Sequence, residues 1–325
     1  MNATACELTE ACASNPAACK PDVAPLSRRA LLAGLVAAKA ALPAAPTVGL
    51  SFGSYALWML TWEDSLELIA RTGYDGVELA LMPDWPTEPK LLSARDRLRI
   101  RSRLLDLGLA LPALLENLRA LDPVRTPAEN LERLRRAIDL GAELAPGKPP
   151  LFETVLGRNP GKWDEIKHEL ADAVGEWARV AADADTVICF KPHANHAVNN
   201  VDRSLWLVSQ VGSPHFRCTY DYSHLWLAGH DLVESLDALL PVSPYVHLKD
   251  ARGTSEDYRF LLPGDGETDY VTMFRRMRQA GYRGYANVEI SAQIHKLPEF
   301  EPIAAARICY DRMASAFEEA QLLRP

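Results

Sequence analysis

Ionisable side chains stand at the ends of short apolar runs along most of this sequence. These runs finish in carboxylate, imidazole or ammonium groups, which are Glu78, Glu116, Glu153, Lys191, His193, His196, Asp221, His224, His247, Lys249, Asp250 and Glu289. Carboxylates and imidazoles buried around one cavity repel one another or need neutralising, and a divalent cation does this most simply. The pattern therefore predicts a metal-assisted catalytic site.

Four of these residues, Glu153, Asp221, His247 and Glu289, are predicted to hold one divalent metal ion. Mn²⁺, Co²⁺, Mg²⁺ and Zn²⁺ accept mixed carboxylate and imidazole ligands, and open coordination positions can bind water or substrate oxygens. Two structural alternatives remain open, because Asp221 could cap a helix and His247 could be a core histidine.

The chemistry expected at this ion is acid–base catalysis. Either Glu153 or Glu289 is predicted to remove a proton while the other serves only as a ligand. Lys191 or His193 would then protonate or assist a leaving oxygen.

A second group of polar residues is predicted to contact the substrate. Its members are His196, His224, Lys249, Asp250 and Glu116. Structural roles are open here too. His224 could orient a metal ligand, Lys249 and Asp250 could form an ion pair at the rim of the site, and Glu116 could be an ordinary rim carboxylate.

The rest of the sequence predicts a scaffold that brings strand ends together. From residue 47 onward, apolar or β-branched runs alternate with amphipathic helical stretches. The predicted strands are 47–52, 75–81, 109–117, 149–157, 185–193, 216–224, 245–251 and 284–291. Eight strands, each followed by a helix, predict one (β/α)₈ TIM barrel over 46–325, with its active site where the strands end.

Local signals place several boundaries within this pattern. Thr61 and Thr126 are predicted helix N-caps, and Pro127 occupies the first position of the second of these helices. Gly73 is predicted to end the first helix. The stretch between the seventh strand and its helix is predicted to be a loop.

Charge and hydropathy argue against two kinds of partner. The net charge is −8 and the pI is about 5.6, so the chain lacks the basic footprint of a nucleic-acid-binding protein. It also lacks the run of roughly 18 uncharged apolar residues that spans a bilayer. We expect a protein without stable membrane insertion after maturation, acting on a small molecule. Homo-oligomerisation stays open.

Residues 1–45 have the layout of a twin-arginine export signal. Arg28 and Arg29 precede a short apolar run at 31–38, and the small-residue pattern of a cleavage site follows at 38–40. The run is too short to cross a bilayer. The protein is therefore expected to be exported to the periplasm and to lose this leader.

The later part of the chain resembles a known superfamily. The segments that carry the resemblance are 220–231, 246–251, 262–291 and 301–313. They are similar to the sugar phosphate isomerase/epimerase superfamily of xylose isomerase-like TIM barrels, which includes ketose 3-epimerases, hydroxypyruvate isomerase and inosose dehydratase. The resemblance implies a divalent metal held by Glu, Asp, His and Glu, and the last three correspond to Asp221, His247 and Glu289.

One residue departs from the ketose epimerase pattern. Those enzymes usually end strand five in a ligand Glu, whereas this chain has Lys191 there. The inosose dehydratase branch looks closer, since it resembles this chain in a Glu after strand four, histidines after strand five and a D-x-x-H-L-x-x-A-G stretch after strand six. The first ligand is therefore predicted to be Glu153.

The implied reaction starts from a ketone. A metal that chelates the ketone oxygen and a neighbouring hydroxyl acidifies the α C–H, and a carboxylate removes that proton to give an enediolate. Reprotonation epimerises, proton relocation isomerises, and expulsion of a β-oxygen dehydrates the sugar or cleaves a keto-glycoside. A lysine or histidine acid favours the dehydratase or lyase outcome, and export favours a free keto-sugar or polyol over a phosphorylated one. The alternatives are a non-catalytic carbohydrate-binding barrel and an endonuclease IV-like metal nuclease.

Overall fold

The computed structural model describes residues 46–121, 123 and 125–325. The predicted export signal at 1–45 lies outside these residues. In the part of the chain that is described, no helix is long and apolar enough to cross a membrane.

A closed barrel of parallel strands confirms the predicted fold. The strands of the described residues are β1 (Gly49–Gly53), β2 (Gly76–Ala80), β3 (Ala110–Leu115), β4 (Leu151–Val155), β5 (Ile188–Lys191), β6 (Phe216–Asp221), β7 (Tyr245–Leu248), β8 (Asp250–Gly253), β9 (Tyr258–Leu261) and β10 (Tyr285–Val288). The barrel closes in the order β1, β10, β7, β6, β5, β4, β3, β2, and β8 and β9 form a separate two-stranded sheet. All eight barrel strands were predicted. Seven were given slightly wider bounds, and the first, predicted at 47–52, begins two residues later and ends one residue later.

Helices follow the barrel strands, and those between successive strands form the crossovers that parallel pairing requires. They are α1 (Trp62–Thr72), α2 (Ala94–Asp106), α3 (Pro127–Leu144), α4 (Trp163–Asp183), α5 (Val201–Val211), α6 (Tyr222–Leu227), α7 (Leu232–Leu239), α8 (Tyr270–Gln279), α9 (Ala292–His295) and α10 (Pro302–Glu319). The predicted caps are present. Thr61 and Thr126 each accept a hydrogen bond from the backbone three residues on, and Gly73 ends α1 with a φ of 107°.

Apolar side chains fill the layer between the barrel and its helices. Phe190 of β5 and Phe216 of β6 stack there with ring centroids 5.1 Å apart, and both are fully buried. Tyr220 of β6 also points outward, because its hydroxyl lies 3.1 Å from Ser235 Oγ in α7. Burial of this apolar surface is the main force that closes the barrel.

Strand alternation turns polar side chains into the barrel. Successive side chains of a strand point to opposite faces, so Thr219 and Asp221 face inward on either side of outward-pointing Tyr220. Asp221 pairs in register with His247 of β7, and His247 pairs with Asn287 of β10. The C-terminal end of the barrel therefore carries its ionisable residues on the inner face of neighbouring strands.

The segment after β7 is a hairpin, and the prediction of a loop there was wrong. β8 pairs antiparallel with β9, with Asp250 opposite Leu261 and Gly253 opposite Tyr258. Each strand has only four residues, and β8 (DARG) carries a single apolar side chain, so the sequence of this segment lacks a clear strand pattern. The hairpin brings Phe260 to the end of the barrel, where its ring contacts the His224 ring at a centroid distance of 4.8 Å.

Candidate active site

The ammonium of Lys191 lies among the four predicted metal ligands. Its Nζ is 2.5 Å from Glu289 Oε2, 3.2 Å from His247 Nδ1, 3.8 Å from Glu153 Oε1 and 3.9 Å from Asp221 Oδ2. Burial by itself lowers the pKa of Lys191, but the surrounding carboxylates outweigh burial and raise the pKa above its usual value. Lys191 is therefore a buried cation at the centre of the site.

A second ammonium, that of Lys249, lies beside the first. Its Nζ is 2.9 Å from Asp221 Oδ2, 3.0 Å from Glu289 Oε2 and 3.2 Å from His224 Nε2. It also lies 4.5 Å from the centroid of the Phe260 ring, within the range of a cation–π contact. The two lysines thus share one carboxylate oxygen, Oε2 of Glu289.

The imidazole of His247 bridges two carboxylates. Nδ1 lies 2.8 Å from Glu289 Oε2, and Nε2 lies 3.1 Å from Glu78 Oε2. Burial and Lys191 lower the pKa of His247, but Glu78 and Glu289 outweigh them and raise it to about 9. At neutral pH, without a bound metal, both ring nitrogens therefore donate hydrogen bonds to carboxylates.

The two carboxyl groups predicted to act in catalysis differ in their environment. Glu153 is fully buried, and neither of its oxygens has a hydrogen-bond partner within the described residues. Burial outweighs the attraction of Lys191 and raises the pKa of Glu153 to about 8. Burial also acts to raise the pKa of Glu289, but Lys191 and Lys249 hold that pKa well below its usual value. At neutral pH Glu153 is mostly protonated and Glu289 is ionised.

Three histidines form a stack at the same end of the barrel. The His196 and His193 ring centroids are 4.2 Å apart, and those of His193 and His224 are 4.0 Å apart. The backbone N–H groups of Gly157 and Ala194 donate to Nδ1 of His196 and His224. Burial lowers the pKa of all three histidines, that of His196 to about 4. The stack is therefore uncharged at neutral pH.

A cavity of about 550 Å³ opens above these groups. Among its lining residues are Tyr55, Arg119, Lys191, His193, His196, Lys249, Phe260 and Glu289. Its volume suits a small sugar derivative, and the two aromatic rings supply apolar surface beside the polar groups. Glu153, Asp221 and His247 are not among the lining residues, because they lie deeper in the barrel.

Two residues predicted to bind substrate have other contacts. Asp250 Oδ2 accepts hydrogen bonds from the backbone N–H groups of Gly264 and Gly266, at 2.7 and 3.1 Å, and so holds the loop before α8. Glu116 forms an ion pair with Arg133 and lines a neighbouring cavity. Neither is among the lining residues of the cavity above Lys191, and their predicted contacts with the substrate stay predictions.

The structural contact of Asp250 leads to a prediction about stability. Replacing Asp250 with Ala leaves two backbone N–H groups without their acceptor and is expected to lower the free energy of unfolding by about 1–3 kcal/mol. The Asp250→Asn variant keeps an acceptor oxygen and should lose less. Urea denaturation measures both. A substrate KM that rises in Asp250→Asn without loss of stability would instead support the predicted substrate contact.

Three residues of the site were not assigned a role from the sequence. Glu78 is completely buried and hydrogen-bonded to both His247 and Asn287. The sequence contained a signal for Glu78, since a lone carboxylate inside the apolar run of β2 is expected to face the barrel interior. Tyr55 and Phe260 come from segments outside the barrel strands, and no local pattern marked them.

Carboxylates and an imidazole of the site are of the types that bind a divalent ion. Two groups, Glu78–Glu153–His247 and Asp221–His247–Glu289, have ligand atoms within 4.8 Å of one another and could by type bind a metal. In the arrangement described, however, the ammonium of Lys191 contacts Nδ1 of His247 and Oε2 of Glu289, two atoms of the types that bind a metal. The residues do not fit a divalent ion beside this ammonium. The predicted ligand roles stay predictions.

Comparison with known proteins agrees with the fold and with the resemblance seen in the sequence. Residues 66–315 match the family described as xylose isomerase-like TIM barrel. The chain is 23% identical over 265 residues to L-ribulose-5-phosphate 3-epimerase UlaE of Salmonella paratyphi C (strain RKS4594), covering 78% of this chain and 91% of that protein.

Solved structures show the same architecture. The probable 3-DHS dehydratase AsbF from Bacillus anthracis superposes with a TM-score of 0.69 at 14% identity, covering 82% of this chain and 99% of that one. The 3-keto-D-glucoside 4-epimerase YcjR from E. coli gives 0.66 at 16% identity, with the same coverage. With the family match extending over most of the barrel, the chain belongs to the xylose isomerase-like TIM barrel family.

Proposed function

We propose that this protein is an enzyme that removes a proton from the carbon beside the carbonyl of a keto-sugar or related polyol. The observation that carries the proposal is the position of Glu289. This carboxylate lines the cavity, and its Oε2 lies 2.5 Å from Lys191 Nζ and 3.0 Å from Lys249 Nζ. A base beside two cations can accept the proton while the cations stabilise an enediolate oxygen. The epimerase activities named for UlaE and YcjR support a carbohydrate substrate.

The contacts of Glu289 suggest how substrate binding would activate it. The hydrogen bonds from Lys191, Lys249 and His247 all go to Oε2, so Oε1 is the oxygen proposed to accept the proton. A carbonyl oxygen in the cavity would compete for the lysine hydrogens. When these hydrogen bonds pass from Glu289 to the carbonyl oxygen, they polarise the carbonyl. Glu289 then loses the contacts that lower its pKa and becomes a stronger base.

Elimination is the outcome that the cavity favours, as in a dehydratase or a keto-glycoside lyase. Epimerisation needs a proton acceptor and a donor on opposite faces of one carbon, but Glu153, the second predicted carboxyl, is not among the cavity-lining residues. Neutral His193 is. We propose that Glu289 removes the α-proton, that the β C–O bond breaks, and that His193 relays the proton to the departing oxygen. Water or an alcohol leaves, and an unsaturated ketone remains.

Carbonyl polarisation in this scheme comes from the two lysines, and no step is assigned to the predicted divalent ion. The predicted leader completes the proposal. We propose that the protein is exported to the periplasm, where a free keto-sugar, keto-polyol or keto-glycoside is a more available substrate than a phosphorylated sugar.

Isotope exchange tests this function. The purified protein is incubated in D₂O with free keto-sugars and 3-keto-glycosides, in EDTA and, in parallel, with added Mn²⁺. We expect release of water or aglycone, which NMR measures. Deuterium at the α-carbon without release would indicate an epimerase or isomerase and overturn the elimination. Binding without exchange or release, for every compound and both conditions, would support a non-catalytic carbohydrate-binding barrel instead.

A further inference from the structure

The ammonium of Lys191 lies against the residues that could bind a divalent ion. Ligand atoms of Asp221, His247 and Glu289 lie within 4.8 Å of one another. Lys191 Nζ is within 4 Å of an atom of each, at 3.9, 3.2 and 2.5 Å. An ion held by these three residues would therefore lie close to the ammonium, and two cations so near each other repel strongly in a buried site.

The carboxylates around Lys191 already have basic partners without an ion. Four carboxyl groups, those of Glu78, Glu153, Asp221 and Glu289, meet in this part of the barrel. Opposite them are two ammonium groups and an imidazole whose nitrogens both lie within hydrogen-bond distance of carboxylate oxygens. A further divalent cation would face repulsion from its nearest neighbours, and that repulsion is strong in a buried site.

Access to the deeper carboxylates also passes the lysines. Lys191 and Lys249 line the cavity, whereas Glu153 and Asp221 are not among its lining residues. A metal ion that entered from the cavity would meet two ammonium groups before it reached these ligands. The same arrangement presents ammonium hydrogens to any molecule bound in the cavity.

We propose that the ammonium of Lys191 is the resident cation of this site, and that it keeps the site free of divalent metal. The lysine neutralises the carboxylates that a metal would otherwise neutralise, and together with Lys249 it forms the positively charged floor of the cavity. The proposal concerns the occupant of the site and holds whether or not the proposed reaction is the one catalysed.

Direct metal binding tests the proposal without any measure of catalysis. Wild-type protein and the Lys191→Glu and Lys191→Gln variants are stripped with EDTA, and Mn²⁺ binding is followed by calorimetry and by metal analysis after dialysis. Lys191→Glu replaces the cation with a carboxylate ligand. We expect it to bind one Mn²⁺ about 100-fold or more tightly than the wild type, with Lys191→Gln between them.

Thermal unfolding supplies a second readout and a matched control. Mn²⁺ should raise the Tm of Lys191→Glu and leave that of the wild type and of Lys162→Glu, which changes an exposed lysine, unaltered. If Lys191→Glu fails to fold, the comparison of Mn²⁺ binding by the wild type and by Lys191→Gln still tests whether Lys191 excludes the metal. One tightly bound Mn²⁺ per wild-type chain, lost in Glu289→Gln, would overturn the proposal. So would variants that bind Mn²⁺ no better than the wild type.

Discussion

Replacing Glu289 with Gln is expected to slow turnover of the keto-sugar or keto-glycoside by about 10²- to 10⁴-fold, the usual contribution of a general base. The substitution keeps the shape of the side chain but removes the oxygen that would accept the α-proton. It also removes the negative charge that Lys191 and Lys249 share through Oε2. The loss should therefore fall mainly on kcat, because the cavity wall that binds the sugar is retained.

The measurement is α-carbon deuterium exchange and product release per folded molecule, with folding checked by circular dichroism. The matched control is Glu143→Gln, since Glu143 is half-exposed on α3 and pairs only with Arg97 among the contacts described. We expect its kcat/KM to equal that of the wild type. Undiminished turnover in Glu289→Gln would remove this carboxylate from the reaction.

Replacing Lys191 with Met is expected to lower the free energy of unfolding by about 3–5 kcal/mol, as is typical when one partner of a buried ion pair is removed. Lys191 is only 4% exposed, and its ammonium lies 2.5 Å from Oε2 of the ionised Glu289. Met fills a similar volume, so lost packing contributes little. The loss comes from carboxylates left without a counter-charge, and urea denaturation at neutral pH in EDTA measures it.

An exposed lysine provides the comparison. Lys162 pairs with Glu165 on the surface, where the two side chains are 57% and 64% exposed, so Lys162→Met should cost less than about 1 kcal/mol. Equal losses in the two variants would mean that the ammonium of Lys191 does not neutralise the buried carboxylates. If Lys191→Met is the less stable, added Mn²⁺ should recover part of its stability, since the vacated space can then hold an ion.

The barrel and the general location of its site were predictable from the sequence. Eight apolar runs alternating with helical stretches restrict the chain to very few topologies, and a closed parallel barrel brings all the strand ends to one rim. Asp221, His247 and Glu289 could be placed together on this ground alone. Each of these residues ends or follows an apolar strand. Side chains alternate between the two faces of a strand, so the position of each residue decides whether it faces the barrel interior. The caps at Thr61 and Thr126 were predictable because they depend on residues only three positions apart.

The contacts inside the site were decided by the tertiary structure. The sequence shows that Lys191 follows a strand, but not that its ammonium reaches Glu289, which lies 98 positions away in the chain. Asp250 follows Lys249 directly, yet its carboxylate turns to the backbone of the loop before α8. Which partner a buried charge finds depends on the packing of distant segments and on the total charge enclosed with it. Local periodicity contains no information about distant packing or about the total enclosed charge. It therefore predicted a cluster of ionisable groups but not the lysine that neutralises this cluster.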